Sequence, residues 1–590
     1  MSGVRIRKER IAQKFAAAFV LASSLYGSGA MAYQFNAGQD WAVNFDNSVQ
    51  YSLGIRARDI NPLLGNDPIN AESEYKFGQG DINTNRISDL MEIQGVYQGR
   101  MGFRFSGSAW RDFAYDTEDK TNPGVIAPAG TVGPCYPGVI NGPCPAITYL
   151  NQRVYPSGQY SDYTKKYHVQ GYELLDAFVF DNFEIGGKPV YAKAGRFSQF
   201  WGNGFLFPFQ AISYSQQPID EIKGFSAPGS EVKELFLPRT QVSMQINPRD
   251  DLSIAGQYYF EFSEYLYPQG GTFFGPASFV YDGPQYGYLA ALPATLFGGN
   301  ANAGYLPFSL TAGQPNRPSG THANYGFRVT WSPEWVKGDL GFYLRHFDES
   351  SAAAIIDPVK GDFHLAFNRN VTLYGMSYER AFGPISTGFE VSYRHHQALA
   401  TGGLLTPGAE DGPPTGSITN FIANALVQLG KSPVYDTGIL IVEVAGTHLN
   451  SVDKNANAPM YGGCTPTSGG WETGCKTTNA VALGFIFDPQ WLQVFPSIDL
   501  DMPVSDYMGL YGNGAFLNGG FYGQKNQIYS IGVKATYKND TSLALAYNAI
   551  YGRAGDVAKL PSGLPYYSGG NGLYNFSDRG WVSLTLKTSF

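Results

Sequence analysis

The sequence has little charge for its length, and this shortage limits the classes of protein that it can encode. Of its 590 residues, only 15% are Asp, Glu, Lys or Arg, whereas soluble proteins average about 25%. The formal net charge is -8, and the basic residues are scattered along the chain. A nucleic-acid-binding domain usually carries a clustered basic surface, so the sequence predicts no nucleic-acid partner.

Long apolar runs are also missing, with a mean hydropathy of -0.20. The single candidate for a membrane helix, Phe15–Leu25, is shorter than the ~20 residues that a spanning helix needs. The basic residues Arg5, Arg7, Lys8 and Arg10 precede it, and the small-x-small pattern Ala-Met-Ala follows at 30–32. We therefore predict a cleaved signal peptide over residues 1–32 and a single mature domain over 33–590. An uncleaved anchor is the alternative.

Cysteine is scarce, and the four cysteines form two close pairs in stretches rich in Gly, Pro and Thr: Cys135 with Cys144, and Cys464 with Cys475. Because an exported protein passes through an oxidising compartment, we predict a local disulfide within each pair. A zinc site is the alternative, but the spacings do not match those of zinc ligands and no nearby histidine completes a set.

The seven histidines provide no short ligand spacing of the kind that binds a metal. All of them map near the outer ends of predicted strands or to predicted outer loops, where we expect solvated rim residues. The sequence therefore predicts neither a metal site nor a cofactor.

The last ten residues, Trp581–Phe590, alternate apolar and small polar side chains. This period of two is typical of a β-strand with one apolar face, and the length is that of a strand crossing a membrane, about 9–11 residues. The edge strand of a soluble sandwich is the alternative for this stretch alone. The aromatic end, Phe590, resembles the terminal signal that the barrel-assembly machinery recognises in outer-membrane proteins.

The same alternation recurs along the chain, for example in Phe389, Val391 and Tyr393 opposite Glu390, Ser392 and Arg394. Such faces indicate lipid outside and a polar lumen inside, because a charge on the lipid face costs about 2–4 kcal/mol. Linkers between the strands alternate between short and long. The sequence therefore predicts an all-β fold, a transmembrane antiparallel β-barrel of about 18 strands, with short periplasmic turns and long extracellular loops.

Several longer stretches carry a resemblance to a known family: "ELLDAFVFDNFEIGGKPVYAKAGRFSQFWGN" from Glu173, "APGSEVKELFLPRTQVSMQI" from Ala227, and "FDPQWLQVFPSIDLDMPVS" from Phe487. Together they resemble the domain-of-unknown-function 1302 family of Gram-negative outer-membrane proteins. The resemblance implies a barrel in the outer-membrane lipid. It also implies movement of lipid-like or aromatic compounds across the envelope, with a periplasmic lipid-carrier-like protein and an RND-type exporter as possible partners.

The best candidate for a functional loop is 197–238, within the stretch Arg196–Pro238, which carries paired charges among aromatic, Gly and Pro residues. A wide barrel is an open pore unless something narrows it, and an inward-folded loop is the usual device. We therefore predict that this loop enters the lumen and forms a constriction or binding ledge; an ordinary surface loop is the alternative. We expect its charges to meet polar lumen residues such as Lys193, Arg328, Glu390 and Asp499, and its aromatic side chains to contact cargo. The candidate residues are Arg196, Trp201, Asn203, Asp220, Glu231, Lys233 and Glu234.

These observations favour a transport barrel for hydrophobic or amphipathic small molecules, located in the cell outer membrane. A passive polar-solute porin is the first alternative, and a structural or adhesive barrel is another. An outer-membrane hydrolase is the enzymatic alternative, but no motif in the sequence indicates a Ser/His/Asp site. We therefore predict a protein that is not an enzyme.

Overall fold

Strands with one apolar and one polar face can cross a membrane only when every backbone group is paired. The computed structural model of the chain meets this condition with one closed antiparallel sheet of 18 spanning strands. The predicted fold class and strand number are therefore confirmed.

The structure describes most of the chain from Tyr33 to Phe590. The residues outside this description are 1–32, 37, 39, 68, 116–118, 121–130, 133–147, 150–153, 229, 231, 280, 294–304, 320–323, 358–359, 402–409, 457–461, 465–469, 518–522 and 560–562. The predicted signal peptide over 1–32 and the predicted Cys135–Cys144 pair lie outside the described residues.

The spanning strands follow one another around the barrel in chain order. They are β1 Trp41–Arg56, β2 Ile82–Tyr97, β3 Met101–Asp112, β4 Gln170–Ile185, β5 Lys188–Phe197, β6 Arg239–Arg249, β7 Leu252–Tyr259, β8 Tyr325–Trp331, β9 Asp339–Phe347, β10 Val371–Phe382, β11 Ile385–Ala398, β12 Thr415–Leu429, β13 Thr437–Lys454, β14 Asn479–Phe495, β15 Ile498–Asp501 with Val504–Tyr511, β16 Gln527–Tyr537, β17 Thr541–Tyr551 and β18 Trp581–Ser589.

The barrel closes where the first and last spanning strands meet. β1 and β18 pair antiparallel from Ser48 opposite Ser589 to Arg56 opposite Trp581. The terminal residue extends this ladder, because the N–H of Asn47 donates to the carbonyl of Phe590 at 2.9 Å and the N–H of Phe590 donates to the carbonyl of Asn47 at 2.8 Å. Closure removes the free edge that would otherwise remain unpaired in lipid.

We predict that deleting Phe590 lowers the amount of inserted barrel several-fold. The deletion removes both hydrogen bonds to Asn47 and the aromatic end of the closing strand. The measurement is membrane fractionation at modest expression, with heat-modifiable gel migration as the sign of a folded barrel. The conservative variant Phe590→Tyr is the control and is expected to insert normally; normal insertion of the deletion variant would contradict the prediction.

Short turns alternate with long loops around the whole barrel. The turn between β4 and β5, for example, consists of Gly186 and Gly187, whose φ angles of 58° and 72° favour glycine. The connection from β5 to β6, by contrast, covers residues 198–238. Both ends of the spanning sheet lie at the short-turn end, as expected for a barrel inserted with its termini towards the periplasm.

The two faces of the strands differ as the alternation predicts. The outer face carries large exposed apolar side chains such as Tyr374, Met376, Phe389 and Val391. Polar and charged side chains on the inner face, such as Glu390, are buried. An apolar exterior around a polar interior is the arrangement of a barrel that sits in lipid.

The long loops carry the remaining secondary structure. Its helices are Pro62–Gly65, Ala71–Tyr75, Asp162–Thr164, Glu221–Ser226 and Val232–Leu235, with short 3-10 or π turns at Phe113–Tyr115, Lys165–Val169, Trp471–Thr473 and Tyr574–Phe576. Its short strands are Thr131–Val132, Thr148–Tyr149, Tyr286–Pro293, Tyr305–Ala312, Ala352–Asp357, Asp362–Phe367, Val557–Lys559 and Pro565–Tyr567. A further short strand, Tyr33–Asn36, precedes β1 and pairs antiparallel with its first residues, from Ala42 to Phe45. Within the described ranges, no helix is both long and apolar enough to cross a membrane.

One of the two predicted cysteine pairs lies in the described part of the chain. Cys464 and Cys475 form a disulfide across the β13–β14 loop, with their Cα atoms 4.8 Å apart. The bond ties together two ends of a loop that the strands alone do not constrain.

A loop that crosses the lumen as the candidate functional site

The β5–β6 connection (residues 198–238) runs into the barrel and reaches strands on opposite sides of it. Its first arm, residues 201–214, contacts inward-facing side chains of β8 to β15, including Glu390 and Glu443. Its second arm, residues 218–237, contacts β1, β4 and β18. The connection is therefore attached to the wall at both ends of its path.

Two buried carboxylates hold the first arm through its backbone amides. Glu390 on β11 accepts hydrogen bonds from the N–H groups of Asn203, of Gly204 at 2.8 Å and of Ile212 at 2.8 Å. Glu443 on β13 accepts from the consecutive N–H groups of residues 205, 206 and 207 at 2.7, 2.9 and 2.8 Å. Charge-assisted hydrogen bonds of this kind are about twice as strong as neutral ones.

Two buried arginines hold the same arm through its carbonyl groups. Arg394 on β11 donates to the carbonyls of Phe209 and Ala211, both at 2.7 Å. Arg345 on β9 donates to the carbonyls of Ile212 and Tyr214, also at 2.7 Å. Both arginines are fully buried, so the loop backbone is the partner that compensates for removing their charge from water.

Apolar side chains of the first arm fill the space between these polar contacts. Trp201 packs near Tyr343 of β9, with ring centroids 6.4 Å apart, and the guanidinium of Arg328 lies 5.8 Å from its ring. Phe207 is fully buried and meets Tyr507 of β15 edge-on, with centroids 6.3 Å apart. The arm thus forms a core of its own inside the barrel, continuous with the inner wall.

The second arm is attached to the seam side of the barrel. Asp220 caps the helix Glu221–Ser226 by accepting from the N–H of Lys223 at 3.0 Å, and Lys223 pairs with Glu173 of β4. Further along, the carbonyl of Pro228 accepts from Gln50 of β1 at 3.3 Å and from Thr585 of β18 at 3.1 Å. These contacts take the connection to the strands that close the barrel.

Burial of the second arm favours the uncharged forms of its ionisable side chains. Desolvation raises the pKa of Asp220 to about 7 and lowers that of Lys223 to about 7. Both shifts have the direction expected for charged groups removed from water. The pair with Glu173 keeps Lys223 close to the wall even so.

The β7–β8 loop covers the connection from the long-loop side. The N–H of Leu266 donates to the carbonyl of Ile219, and the N–H of Glu221 donates to the carbonyl of Leu266, both at 2.9 Å. The β9–β10 loop adds a further contact, because Glu349 accepts from the hydroxyl of Tyr214 at 2.7 Å. Burial raises the pKa of Glu349 to about 6, while its hydrogen bonds from Tyr214 and Asn368 act in the opposite direction.

The structure brings most of the predicted loop residues together, but not all of them. Trp201 and Asn203 lie in the first arm, and Asp220 and Glu234 are buried in the second. Lys233 belongs to the helix Val232–Leu235, and Glu231 lies outside the described residues.

Arg196 lies apart from the other predicted residues. It sits beside the fully buried Phe197, on the opposite face of β5, and forms an ion pair with Glu261 at 3.1 Å. Successive strand residues point to opposite faces, so Arg196 faces away from the lumen. It takes no part in the contacts that hold the loop.

Of the four wall residues that hold the loop, sequence reasoning named Glu390 as a lumen partner and missed Arg345, Arg394 and Glu443. Their signal was nevertheless present, since each is a charged residue at an inward position of an alternating strand. The sequence does not show which groups these four side chains bind. Their partners are backbone groups of the β5–β6 connection, which lies more than a hundred residues away in the chain.

Two histidines differ from the expectation of solvated rim residues. His168 is buried and its Nε2 accepts from the N–H of Gln269 at 3.1 Å; burial, and then the charge of Arg86, lower its pKa to about 3. His364 is buried between Asp362 and Asp411, at 3.0 and 2.8 Å. Among the described residues, no group of three or more His, Cys, Asp or Glu is placed to hold a metal ion.

The closed sheet, the apolar exterior and the charged interior define a class: the chain is a transmembrane β-barrel of the outer membrane. Residues 13–590 match the family described as "Protein of unknown function (DUF1302)", and the chain belongs to that family. A comparison with curated protein sequences gives no match.

The solved structures to which the chain is similar include proteins of Pseudomonas aeruginosa and Acinetobacter baumannii. They include Pseudomonas aeruginosa OccD3 (OpdP), at 10% identity, TM-score 0.37 and coverage of 95% of this chain and 93% of that chain. Pseudomonas aeruginosa OccK9 (OpdG) has 8% identity, TM-score 0.39 and coverage of 93% and 98%. Acinetobacter baumannii OccAB1 has 10% identity, TM-score 0.38 and coverage of 96% and 99%.

Proposed function

We propose that this barrel transports hydrophobic or amphipathic small molecules across the outer membrane, by a path that the β5–β6 connection controls. The observation that carries the proposal is the attachment of this connection to opposite walls through Glu390, Glu443 and Pro228. A segment held in this way obstructs the free diffusion of small ions and sugars that an open porin allows.

The chemistry of the connection supports an apolar cargo. Its polar backbone groups are engaged by the wall, whereas its side chains form apolar clusters around Trp201, Phe207 and Ile212. Because these side chains are buried, a solute reaches them only when the connection shifts, and an apolar solute then replaces apolar contacts with little loss from desolvating polar groups. We therefore assign the substrate class as lipid-like or aromatic compounds rather than polar metabolites.

The same proposal includes partners. The resemblance of the sequence motifs to their family implies a periplasmic lipid-carrier-like protein and an RND-type exporter, which would deliver or receive the compound at the short-turn end of the barrel. The barrel-assembly machinery is the partner that the aromatic terminus implies. Co-purification from cells crosslinked before lysis tests these three interactions.

We predict that cells producing the barrel take up the neutral dye N-phenylnaphthylamine several-fold faster than cells with an empty vector. Proteoliposomes containing the barrel are expected to swell in sugars only slowly, because the connection blocks a free aqueous path. Dye fluorescence and light scattering are the two measurements, and uptake of a polar β-lactam reports general membrane damage. Porin-like swelling with unchanged dye uptake would favour the passive porin instead.

A further inference from the structure

A cavity of about 300 Å³ lies where three inward loops meet on the long-loop side. Its walls come from the second arm of the β5–β6 connection, the β7–β8 loop and the β17–β18 loop. This volume is at the lower end of the range found for small-molecule sites, about 300–1,000 Å³. The lining residues are Glu221, Phe225, Pro268, Phe274, Pro276, Tyr281, Gly572, Leu573, Asn575 and Phe576.

The walls are mainly aromatic and are held in place by their neighbours. Phe225 and Phe274 stack with centroids 5.4 Å apart and an interplanar angle of 17°. Tyr281 has a φ of 78°, a left-handed conformation that is rare for a side chain of this size, and it stacks on Tyr267 with centroids 4.5 Å apart. Residues held in such conformations cluster at ligand sites.

One ionisable side chain lines this apolar cavity. Glu221 begins the short helix Glu221–Ser226 and shares a helical face with Phe225, four residues later. Among the described residues, no cation forms an ion pair with its carboxylate, and Lys223 is engaged by Glu173 and Asp220 instead. Burial, and then the charge of Asp220, raise the pKa of Glu221 to about 8, as expected for a carboxyl without a cation beside it.

We propose that this cavity binds a small hydrophobic amine, whose ammonium group pairs with Glu221 while its apolar body packs against the aromatic walls. An ammonium supplies the missing counter-charge, and aromatic faces attract cations in addition. Asn575 adds an acceptor, because its amide nitrogen donates to the carbonyl of Pro276 while its buried amide oxygen has no partner among the described residues. The assignment rests on the proposed function, since the bound amine is a candidate cargo.

The test uses the full mature barrel in detergent and three ligands with the same ring: tryptamine, indole and indolepropionate. Isothermal titration calorimetry is expected to rank tryptamine above indole and indole above indolepropionate. Glu221→Gln, which keeps the shape of the side chain, should weaken tryptamine binding about tenfold and change indole binding little. Glu334→Gln, in the exposed turn between β8 and β9, is the control and should leave binding unchanged.

A second variant separates loss of charge from loss of structure. Phe225→Trp narrows the cavity without touching the carboxyl and should weaken both tryptamine and indole. Heat-modifiable migration establishes that each variant is folded. Equal affinity for tryptamine and indolepropionate, or unchanged tryptamine binding by Glu221→Gln, would overturn the inference.

Binding and transport are read out independently. If tryptamine binding depends on Glu221 but the barrel does not increase dye uptake, the amine site is supported and the proposed transport function is contradicted. If the barrel increases dye uptake but does not prefer tryptamine, transport is supported and the assignment of the cavity as an amine site is contradicted.

Discussion

Deleting residues 205–230 is expected to leave a folded barrel whose single-channel conductance rises on the order of tenfold, because a barrel of 18 strands encloses an aqueous channel once nothing fills it. The deletion removes the amides bound by Glu443, the carbonyls bound by Arg345 and Arg394, and the carbonyl of Pro228 at the seam. It therefore removes the segment that crosses the lumen and leaves the short stub at Asn203 and Gly204 bound to Glu390.

The barrel itself should tolerate this deletion. β5 and β6 are neighbours in the sheet, with Phe197 opposite Arg239 at the loop end, so the shortened connection has only a small gap to cross. The wall charges that lose their partners come to lie in a wet channel, where a charge is far cheaper than in a dry interior.

Conductance in planar bilayers is the measurement, with circular dichroism and heat-modifiable migration to establish folding. A control deletion removes residues 557–567 of the β17–β18 loop, in which the short strands Val557–Lys559 and Pro565–Tyr567 pair with each other, and should leave conductance unchanged. If the 205–230 deletion folds and conducts like the intact barrel, the β5–β6 connection is not the barrier, and the β7–β8 loop becomes the next segment to delete.

The barrel could be predicted from the sequence because its rules are local. A strand between lipid and water must alternate, so the order of residues along the chain is enough to place Phe389, Val391 and Tyr393 on one face and Glu390 and Arg394 on the other. The strand number follows from counting such segments. Closure through Phe590 follows from the position of the last segment in the chain.

The path of the β5–β6 connection could be predicted only in part. Its length and aromatic content indicate an inward loop, and the prediction expected its own charges to meet the polar lumen. In the first arm the structure shows the reverse, because charges on the wall bind the backbone of the loop. In the second arm a charge of the loop does meet the wall, where Lys223 pairs with Glu173. Backbone groups are the same in every residue, so no side-chain pattern identifies residues 203–214 as the bound segment.

The cavity at Glu221 could not be predicted from the sequence for a different reason. Its walls combine the second arm with loops around Phe274 and Phe576, which are separated from each other by about half of the chain. Alternating side chains and turn signals give information only on residues that are close in the sequence. They do not indicate a contact between distant residues such as Asn575 and Pro276.

Replacing both Glu390 and Glu443 with Gln is expected to release the first arm from the wall while the barrel remains intact. Each carboxylate accepts three backbone N–H groups, and an amide presents its own N–H₂ group to those donors. Leaving one buried donor unpaired costs about 1–3 kcal/mol, so we expect a loss of roughly 3 kcal/mol of attachment at each site. The arm should then leave its position for a measurable fraction of the time.

Two measurements detect the release of the first arm from the wall. Current traces of the double variant should show frequent transitions to a higher conductance, and chymotrypsin should cleave after Phe209, in the released arm, faster than in the intact barrel. Glu379→Gln is the matched control, since Glu379 is an exposed acid on β10 that holds no part of the loop. The conservative pair Glu390→Asp and Glu443→Asp keeps the charge and should retain part of the attachment. If the double Gln variant is folded, conducts steadily and resists chymotrypsin, the carboxylates do not hold the loop, because the arginines and the apolar packing around Trp201 and Phe207 then suffice without them.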